Sequence, residues 1–314
     1  MKRIIFVPQY PTPMRYQEWW FSKFPQEFRK AGFEVHVLGE RAAKYNIRGV
    51  DTKGMFSPIE AAIKFECEQI KEYMTMDVRV DDVLFVADIS FPGFFCNVLY
   101  HKKPQKAFAF CHATSINRFD YFVNVSDSKF LVETAHSRLF DDVFVGSNYH
   151  QRKLKWENTV VVRLPFPPFK EICNLVPEKC FHIISASRPT KQKVDFEIEK
   201  FFDVVRREGI EESDSWEKYY SFLSAGKILL ISAFEDTFGY QIVDAIMNSC
   251  IPLAPNRCAY PEILPRQYIY SDREDLINKI EAVDRGRLKV PALVCEGEMK
   301  MFYENIIHRM MQDK

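Results

Sequence analysis

Two aspartates, Asp236 and Asp244, stand eight residues apart in the second half of the chain, with the pair Phe238-Gly239 between them. The apolar run 228–231 precedes them and a helical apolar pattern follows, so the segment is predicted to be strand, loop and helix. Asp236 then lies in the loop, and Asp244 about two turns along the helix on a similar face. A helix start with a glycine suits an anion, because amides point outward and backbone can approach closely. Carboxylates for sugar hydroxyls beside amides for phosphate favour a nucleotide-sugar site; the alternative is that both acids cap and solvate a surface helix.

A basic loop, 185–193, follows the predicted strand 182–185. Its Arg188 and Lys193 would stand at the carboxyl end of that strand, where a guanidinium fork and an ammonium can share the oxygens of a diphosphate. Basic loops are also common on solvated surfaces, so the pattern alone leaves both interpretations open.

Short β-type runs alternate with helical stretches along the chain, which is typical of parallel sheets covered by helices on both faces. The proline-rich segment 165–169 interrupts the alternation and is predicted to be an extended hinge. We therefore expect two Rossmann-like α/β domains, 1–165 and 170–295, and a C-terminal helical segment, 296–314, that packs back on the first domain. Ligands are expected in a cleft between the carboxyl ends of the two sheets. The predicted strands are 3–7, 34–38, 83–87, 107–111, 143–145, 160–164, 182–185, 228–231, 251–254 and 268–270, and the predicted helices are 16–31, 58–73, 196–206, 239–248, 273–283 and 298–311.

Composition excludes several classes of protein. The 314 residues are 47% apolar and 15% aromatic, enough for large cores, and no apolar run approaches the ~20 residues of a membrane-spanning helix. The N-terminal apolar stretch is too short for a signal peptide, so a cytoplasmic protein is expected. The eight cysteines contain no CxxC pair and are expected to be buried free thiols rather than disulfides or zinc ligands. Net charge is zero, although residues 1–165 carry 23 Lys and Arg against 19 Asp and Glu, a sign that suits an anionic acceptor.

Four blocks between residues 112 and 262 match, in order, the motifs of one enzyme class. Asp236-x7-Asp244 matches a Glu-x7-Glu element, and Arg188 and Lys193 match, at the same spacing of five, an Arg and a Lys that hold a donor diphosphate. The segment 252–262 is similar to Pro-Leu-Leu-Pro-Asn-Arg-Leu-Ser-Tyr-Pro-Glu, and 146–150 to Asn-Ser-x-Tyr-His. With these blocks the chain resembles the retaining glycosyltransferases of the two-Rossmann-domain (GT-B) type, and within them the branch that includes the tRNA-queuosine mannosyltransferases.

The resemblance implies a role for each matching residue. A sugar would pass from a nucleoside diphosphate to a hydroxyl on one face of the sugar, without a protein nucleophile or a divalent metal, and the leaving diphosphate would take the proton. Asp244 would bind the ribose. The implied catalytic residues are His112, Arg188, Lys193 and Asp236, and Asp88, at the end of the predicted strand 83–87, is a further candidate from its position. The implied donor-binding residues are Arg188, Lys193, Glu235, Asp236, Phe238, Gly239, Tyr240, Asp244, Asn256 and Arg257. The acceptor-binding residues, which we predict from their place in the first domain and not from the resemblance, are Gln9, Tyr10, Arg15, Asp88, Thr114, Ser115 and Arg118.

Some of these residues have plain structural alternatives. His112, at the end of a predicted strand, could equally be a satisfied core histidine. Asp88 could be a base or an acceptor contact, or it could cap the N-terminus of the next helix. Of Trp19 and Trp20, one is expected in the core and the other facing the cleft or solvent.

The chain departs from the family pattern where the acceptor would bind. The acidic pair is Asp-Asp instead of Glu-Glu, and Glu235, directly before Asp236, is an alternative first acid. The glycine-rich loop after the first strand is absent, and residues 8–13 replace it with a proline-rich sequence. The branch suggests a hydroxyl on a modified base in nucleic acid, and we expect hydroxymethyl-pyrimidine DNA, modified by a virus-type enzyme in a host cytoplasm, over tRNA. The alternatives are a glycan or small-molecule acceptor, a sugar-nucleotide epimerase or hydrolase, and a non-catalytic binder.

Overall fold

The computed structural model of the protein describes residues 2–46, 59–117, 126–187, 194–207 and 215–312. Two compact units divide the chain. The first comprises Met1–Gly146, Gln151–Pro165 and Met301–Lys314, and the second comprises Ser147–His150 and Phe166–Lys300.

The first unit is built on a six-stranded parallel sheet with the order β2-β1-β3-β4-β5-β6. Every residue of β3 and β5 is buried, and all of them except Asp142 are apolar, as in a sheet sandwiched between helices. In the register, Ile4 pairs with Val35 on one side and Val83 on the other. The strands are β1 (Arg3–Val7), β2 (Glu34–Val37), β3 (Val83–Val86), β4 (Lys106–Cys111), β5 (Asp142–Val145) and β6 (Thr159–Val161).

Within the described residues, the helices that follow these strands are α1 (Tyr16–Lys30), α2 (Glu40–Asn46), α3 (Ile59–Thr75), α4 (Ser126–Ser137) and α5 (Asn148–Leu154), and the first three residues of α5 belong to the second unit. The first helix places an aromatic face on the sheet, where the ring of Phe24 lies 5.7 Å from that of Phe6 and 5.0 Å from that of Phe85. Gly32, at φ +89°, follows the end of α1, where its left-handed conformation lets the next amides satisfy the last carbonyls of the helix. Both Trp19 and Trp20 are buried, so the expectation that one faces a cleft or solvent is wrong.

The second unit is built on a five-stranded sheet, also parallel throughout, with the order β11-β10-β9-β7-β8. Its strands are β7 (Phe181–Ser185), β8 (Val205–Arg206), β9 (Gly226–Leu230), β10 (Ile251–Pro255) and β11 (Ile269–Tyr270). Its helices are α6 (Phe196–Phe201), α7 (Trp216–Ala225), α8 (Tyr240–Met247), α9 (Tyr260–Ile263), α10 (Arg273–Asp284) and α11 (Glu296–Lys300).

The last helix, α12 (Phe302–Met311), belongs to the first unit. The ring of its Phe302 lies 5.5 Å from Trp20 and 5.7 Å from Phe24, and its Arg309 donates to the carboxylate of Asp142 at 2.7 Å. These contacts attach the C-terminal helix to α1 and to the sheet of the first unit.

All ten predicted strands are present, and two helix predictions are wrong. The predicted helix 196–206 ends at Phe201, because Asp203 adopts φ +48° and the chain turns into β8, which pairs with β7. The predicted helix 298–311 is two helices, α11 and α12, separated at Met301. Helices α2, α4, α5, α7 and α9 are absent from the predicted set.

All eight cysteines are free thiols. Four of them are buried as expected, but Cys67 and Cys180 are exposed. Within the described residues, no helix combines the length and apolar character needed to cross a membrane. The same residues contain no group of three or more His, Cys, Asp or Glu side chains arranged to hold a metal ion.

Candidate active site

The carboxyl edge of the second unit's sheet has a topological switch point. From β7 the chain goes to β8 on one side and then to β9 on the other, so the loops that leave β7 and β9 diverge there. Ligands of open parallel sheets bind in the crevice at such a point. The loop after β9 contains Glu235 and Asp236, and the loop after β7 contains Arg188 and Lys193, which lie outside the described residues.

The segment from β9 to α8 is the predicted strand, loop and helix. Gly239 adopts φ +99° immediately before α8, and a Cβ at this position would lie 3.1 Å from the ring of Tyr260, so glycine is required on both counts. Asp236 is half-buried, and its Oδ1 accepts a hydrogen bond from the backbone N–H of Phe238 at 3.1 Å. The Oη of Tyr260 donates to Oδ2 at 3.4 Å. The loop thus presents a carboxylate beside the start of a helix.

Asp244 is the fifth residue of α8, one turn into the helix instead of the predicted two. Its carboxylate is only 6% exposed and accepts hydrogen bonds from Tyr220 Oη at 2.8 Å and Tyr219 Oη at 3.1 Å. Burial raises the pKa of Asp244 to about 7, while the two hydroxyls act in the opposite direction. The ribose contact stays a prediction for this residue.

Both tyrosines come from α7 and were missed in the sequence. The signal was present: Ser215 accepts a hydrogen bond from the N–H of Lys218 as an N-cap, and residues 216, 219, 220 and 223 are aromatic or apolar at helical spacing. This pattern would have predicted α7 and its tyrosine pair.

We call the loop between β9 and α8, residues 231–239, the acid loop. Arg257, from the Pro-Leu-Ala-Pro-Asn-Arg block, contacts this loop. Arg257 follows β10, and its Nε and Nη2 donate to the carbonyls of Ala233 and Ser232 at 2.9 and 2.8 Å. Its guanidinium also stacks over the ring of Phe234, 4.4 Å from the centroid. Asn256 is exposed, with its backbone N–H bonded to the carbonyl of Tyr270.

The aromatic side chains at the helix start differ in burial. Phe238 is buried and Tyr240 is half-buried, with their rings 5.4 Å apart in an edge-on arrangement. Of these two side chains, only that of Tyr240 is accessible to solvent at the beginning of α8.

Two described residues on either side of Arg188 and Lys193 in the sequence, Ser187 and Asp195, are hydrogen-bonded to this acid loop and helix. On one side, Ser187 Oγ donates to Oε1 of Gln241, in the first turn of α8, at 3.0 Å. On the other side, the backbone N–H of Asp195 donates to Oγ of Ser232, directly after β9, at 2.9 Å. The segment that contains Arg188 and Lys193 therefore begins and ends against the β9–α8 segment.

The first unit has its own switch point, between β1 and β3. There Gln9 Nε2 donates to Asp88 Oδ2 at 2.8 Å, and Ser90 donates to Oδ1 from its backbone N–H at 3.1 Å and from Oγ at 2.9 Å. Asp88 is 6% exposed, and burial raises its pKa to about 7, although hydrogen bonds from Ser90 and the backbone of His112 oppose the shift. The helix-cap alternative for Asp88 is wrong, since the carboxylate closes a turn on Ser90 and no helix begins there.

His112 lies at the end of β4 inside an aromatic cluster. Its ring is stacked at 4.0 Å on the ring of Tyr16 and lies 4.5 Å from Phe110 and 4.6 Å from Trp20. The imidazole is half-buried, so the packing fixes the plane of the ring while part of it keeps access to solvent.

Other residues predicted to contact the acceptor build the loops of the first unit. Ser115 is fully buried and donates to Glu133 Oε2 from its backbone N–H at 3.0 Å and from Oγ at 2.7 Å. The N–H of Thr114 donates to Oδ1 of Asn117 at 3.0 Å. Tyr10 is buried edge-on against Phe65, and Arg15, directly before α1, donates to the carbonyl of Met14. Arg118 lies outside the described residues.

No protein-family model matches the chain. Solved structures match it over almost its full length: sucrose-phosphate synthase from Thermosynechococcus elongatus has a TM-score of 0.61 at 12% identity, covering 99% of this chain and 94% of that chain. A trehalose-6-phosphate structure from E. coli bound with UDP-2-fluoro glucose has a TM-score of 0.62 at 10% identity and covers 100% of both chains. A lipopolysaccharide outer core galactosyltransferase has a TM-score of 0.60 at 12% identity, covering 98% and 99%. The expected fold class is confirmed: the chain has the α/β fold of GT-B glycosyltransferases, with two Rossmann-like units.

One curated relative shares part of its sequence with this chain. The tRNA-queuosine alpha-mannosyltransferase of Drosophila melanogaster is 34% identical over 64 residues. The match covers 20% of this chain and 17% of the relative. It is a local similarity to one member of the branch that the sequence motifs resemble.

Proposed function

We propose that this protein is a glycosyltransferase that moves a sugar from a nucleoside-diphosphate sugar to a hydroxyl acceptor. The observation that carries the proposal is the attachment of two residues to the β9–α8 segment, Ser187 to Gln241 and Asp195 to Ser232, which come before and after Arg188 and Lys193 in the sequence. An Arg and a Lys in the sequence between them, a half-buried acid and a helix start suit the diphosphate and the sugar of one ligand.

The chemistry asks the protein mainly to stabilise negative charge on the departing diphosphate. Arg188, Lys193 and the amides at the start of α8 would supply that stabilisation, and Asp236 would orient the donor sugar. With two side-chain cations in this role, the proposed mechanism requires no divalent metal.

The proposed transfer retains the configuration of the donor sugar. The acceptor hydroxyl attacks the anomeric carbon from the face that the diphosphate leaves, and a diphosphate oxygen takes the hydroxyl proton. No side chain forms a covalent bond to the sugar. Asp88 and His112, joined through the His112 backbone, are proposed to orient the acceptor.

The acceptor class we propose is a hydroxyl on a modified base in nucleic acid. The local similarity to a queuosine-tRNA enzyme and the mild positive charge of residues 1–165 support it. Some of the basic residues already have partners, since Lys102 donates to the carbonyl of Met76 and Lys106 to that of Gln312. Hydroxymethyl-pyrimidine DNA remains our sequence-based preference over tRNA.

Two linked experiments test the function. First, thermal unfolding is measured with a panel of nucleoside-diphosphate sugars, and a true donor raises Tm by mass action whereas the matching nucleoside monophosphate raises it less. Second, the donor so found is incubated with hydroxymethyl-containing DNA, with queuosine tRNA and with unmodified versions of each.

We expect sugar transfer to one modified nucleic acid, with the anomeric configuration retained as measured by NMR. Transfer to queuosine tRNA alone would replace our DNA preference. Release of an epimerised nucleotide sugar without any acceptor would replace the transferase proposal by an epimerase.

A further inference from the structure

Two adjacent acids on the donor-side loop have different surroundings. Asp236 is half-buried and keeps accessible surface, whereas Glu235 is only 3% exposed. Tyr149 Oη donates a hydrogen bond to Oε1 of Glu235 at 2.9 Å. Burial and the nearby charge of Glu235 raise the pKa of Tyr149, so the phenol keeps its proton and remains a donor.

Tyr149 is itself fixed by a carboxylate of the second unit. Glu262 Oε1 accepts from the backbone N–H of Tyr149 at 2.7 Å, and its Oε2 accepts from the backbone N–H and Nδ2 of Asn148 at 2.8 and 3.0 Å. Ser147 Oγ in turn donates to the carbonyl of Thr237. The segment Ser147–Tyr149 therefore holds the acid loop at two points, the side chain of Glu235 and the backbone of Thr237, on either side of Asp236.

We propose that Glu235 is a positioning residue which, bonded to Tyr149, holds the acid loop so that Asp236 alone is the carboxylate presented to the donor sugar. This inference rests on the proposed function of the same loop. Glu235 then acts through the hydrogen bond it accepts, whereas Asp236 acts through its contact with the sugar.

The different roles of Glu235 and Asp236 predict different losses of activity when each acid is replaced by its amide. In Glu235→Gln the amide oxygen can still accept the Tyr149 bond, but an amide is a weaker acceptor than a carboxylate, so kcat falls about threefold and the KM for the donor changes little. In Asp236→Asn the charged contact with the sugar is lost, and kcat/KM for the donor falls about 100-fold, the scale of one polar contact made in the transition state. Glu235→Ala removes the acceptor altogether and lowers kcat at least tenfold.

Tyr149→Phe tests the other partner. We expect a tenfold lower kcat. Adding Glu235→Ala to Tyr149→Phe should cause no further loss, because both changes break the same hydrogen bond between Tyr149 and Glu235. Tyr100→Phe, at an exposed tyrosine of the first unit, is the matched control and should leave all constants unchanged. All assays are run well below the lowest Tm of the set, so that a loss of folding does not imitate a loss of positioning.

Three results would overturn the inference. The first is Glu235→Gln losing as much activity as Asp236→Asn, which would make Glu235 a sugar contact. The second is Tyr149→Phe behaving like Tyr100→Phe. The third is full additivity in the double variant. In each case the wild type still transfers sugar, so the proposed function stands; a wild type that neither binds nor transfers any nucleotide sugar would remove both.

Discussion

The carboxyl edges of the two sheets hold their acids in different ways. In the first unit, carboxylates bind backbone amides and serines of nearby loops: Glu66 accepts from the N–H groups of Gly93, Phe94 and Phe95, and Glu133 accepts twice from Ser115. In the second unit, tyrosine hydroxyls from other elements contact three of the acids. The pairs are Tyr149 with Glu235, Tyr260 with Asp236, and Tyr219 and Tyr220 with Asp244.

This difference separates two uses of a buried acid. A carboxylate that accepts from main-chain amides determines the path of a loop, so its loss is mainly a loss of stability. A carboxylate that accepts hydrogen bonds from tyrosine hydroxyls is oriented by side chains, so loss of one hydroxyl reorients the carboxylate with little change in the backbone. We therefore expect variants of Glu66 and Glu133 to affect mainly stability, and variants of Glu235 and Asp236 to affect mainly turnover.

The largest expected effect is on turnover, from Arg188→Ala in the second unit. Loss of a cation that stabilises the leaving diphosphate should lower kcat by about 100- to 1,000-fold, or ~3 kcal/mol of transition-state stabilisation. Arg29→Ala, in the last turn of α1, is the control and should leave kcat unchanged. Steady-state kinetics with the identified donor measure both, and an unchanged kcat in Arg188→Ala would remove this residue from the mechanism.

The next effect is on stability, from Glu66→Ala in the first unit. Three backbone N–H groups lose their acceptor, and we expect the free energy of unfolding to fall by about 3 kcal/mol. Glu60→Ala, on the same helix, breaks an exposed pair with Lys64 and should leave the free energy of unfolding almost unchanged. Urea unfolding measures both, and equal costs would contradict the role of Glu66 in holding the loop.

A third prediction concerns the pH dependence of stability through Asp244. The folded state keeps its proton up to about pH 7, whereas the unfolded chain releases it near 3.8, so the folded state binds more protons in this window. The free energy of unfolding therefore falls as pH rises through the window, by at most about 1.4 kcal/mol per pH unit for one group. Asp244→Asn removes this term, so the variant should gain stability relative to wild type between pH 5 and pH 8.

Asp284→Asn, in the same unit, should change the pH dependence of stability in the opposite direction to Asp244→Asn. Hydrogen bonds from Lys227 and His182 lower the pKa of Asp284 despite some desolvation, so its contribution is present at neutral pH and is lost on acidification. Thermal unfolding from pH 3 to pH 8 compares the two variants. Parallel curves for wild type and Asp244→Asn would show that the buried acid does not titrate between the two states.

The smallest effect compares two left-handed glycines, one in each unit. Alanine at Gly32 or Gly239 costs about 1–2 kcal/mol from backbone strain alone. At Gly32 no atom lies within 4 Å of the added Cβ, but at Gly239 the ring of Tyr260 lies 3.1 Å away. Gly239→Ala should therefore destabilise more than Gly32→Ala in denaturant unfolding and should also lower turnover, and equal costs with normal turnover would refute the close packing at Gly239.

Local sequence was sufficient for much of the framework. The apolar runs predicted ten strands and the loop-to-helix transition at Gly239, because strand burial and helix termination depend on a few neighbouring residues. The helix predictions that were wrong fall where the same local sequence is compatible with more than one secondary structure. Residues 196–206 have a helical composition, yet Val205 and Arg206 gain more by pairing with β7 at the sheet edge.

The candidate site likewise has a part that the sequence predicted and a part that only the structure revealed. Asp236, Asp244 and their spacing were visible in the chain, because motif and helix period are local properties. The tyrosines bonded to these two acids and to Glu235 lie 24 to 86 residues away in sequence, so no periodicity connects them to the acids; they are Tyr149, Tyr219, Tyr220 and Tyr260. Which acid is covered and which keeps surface depends on these long-range hydroxyls, and only the packing of α5, α7 and α9 around the loop decides it.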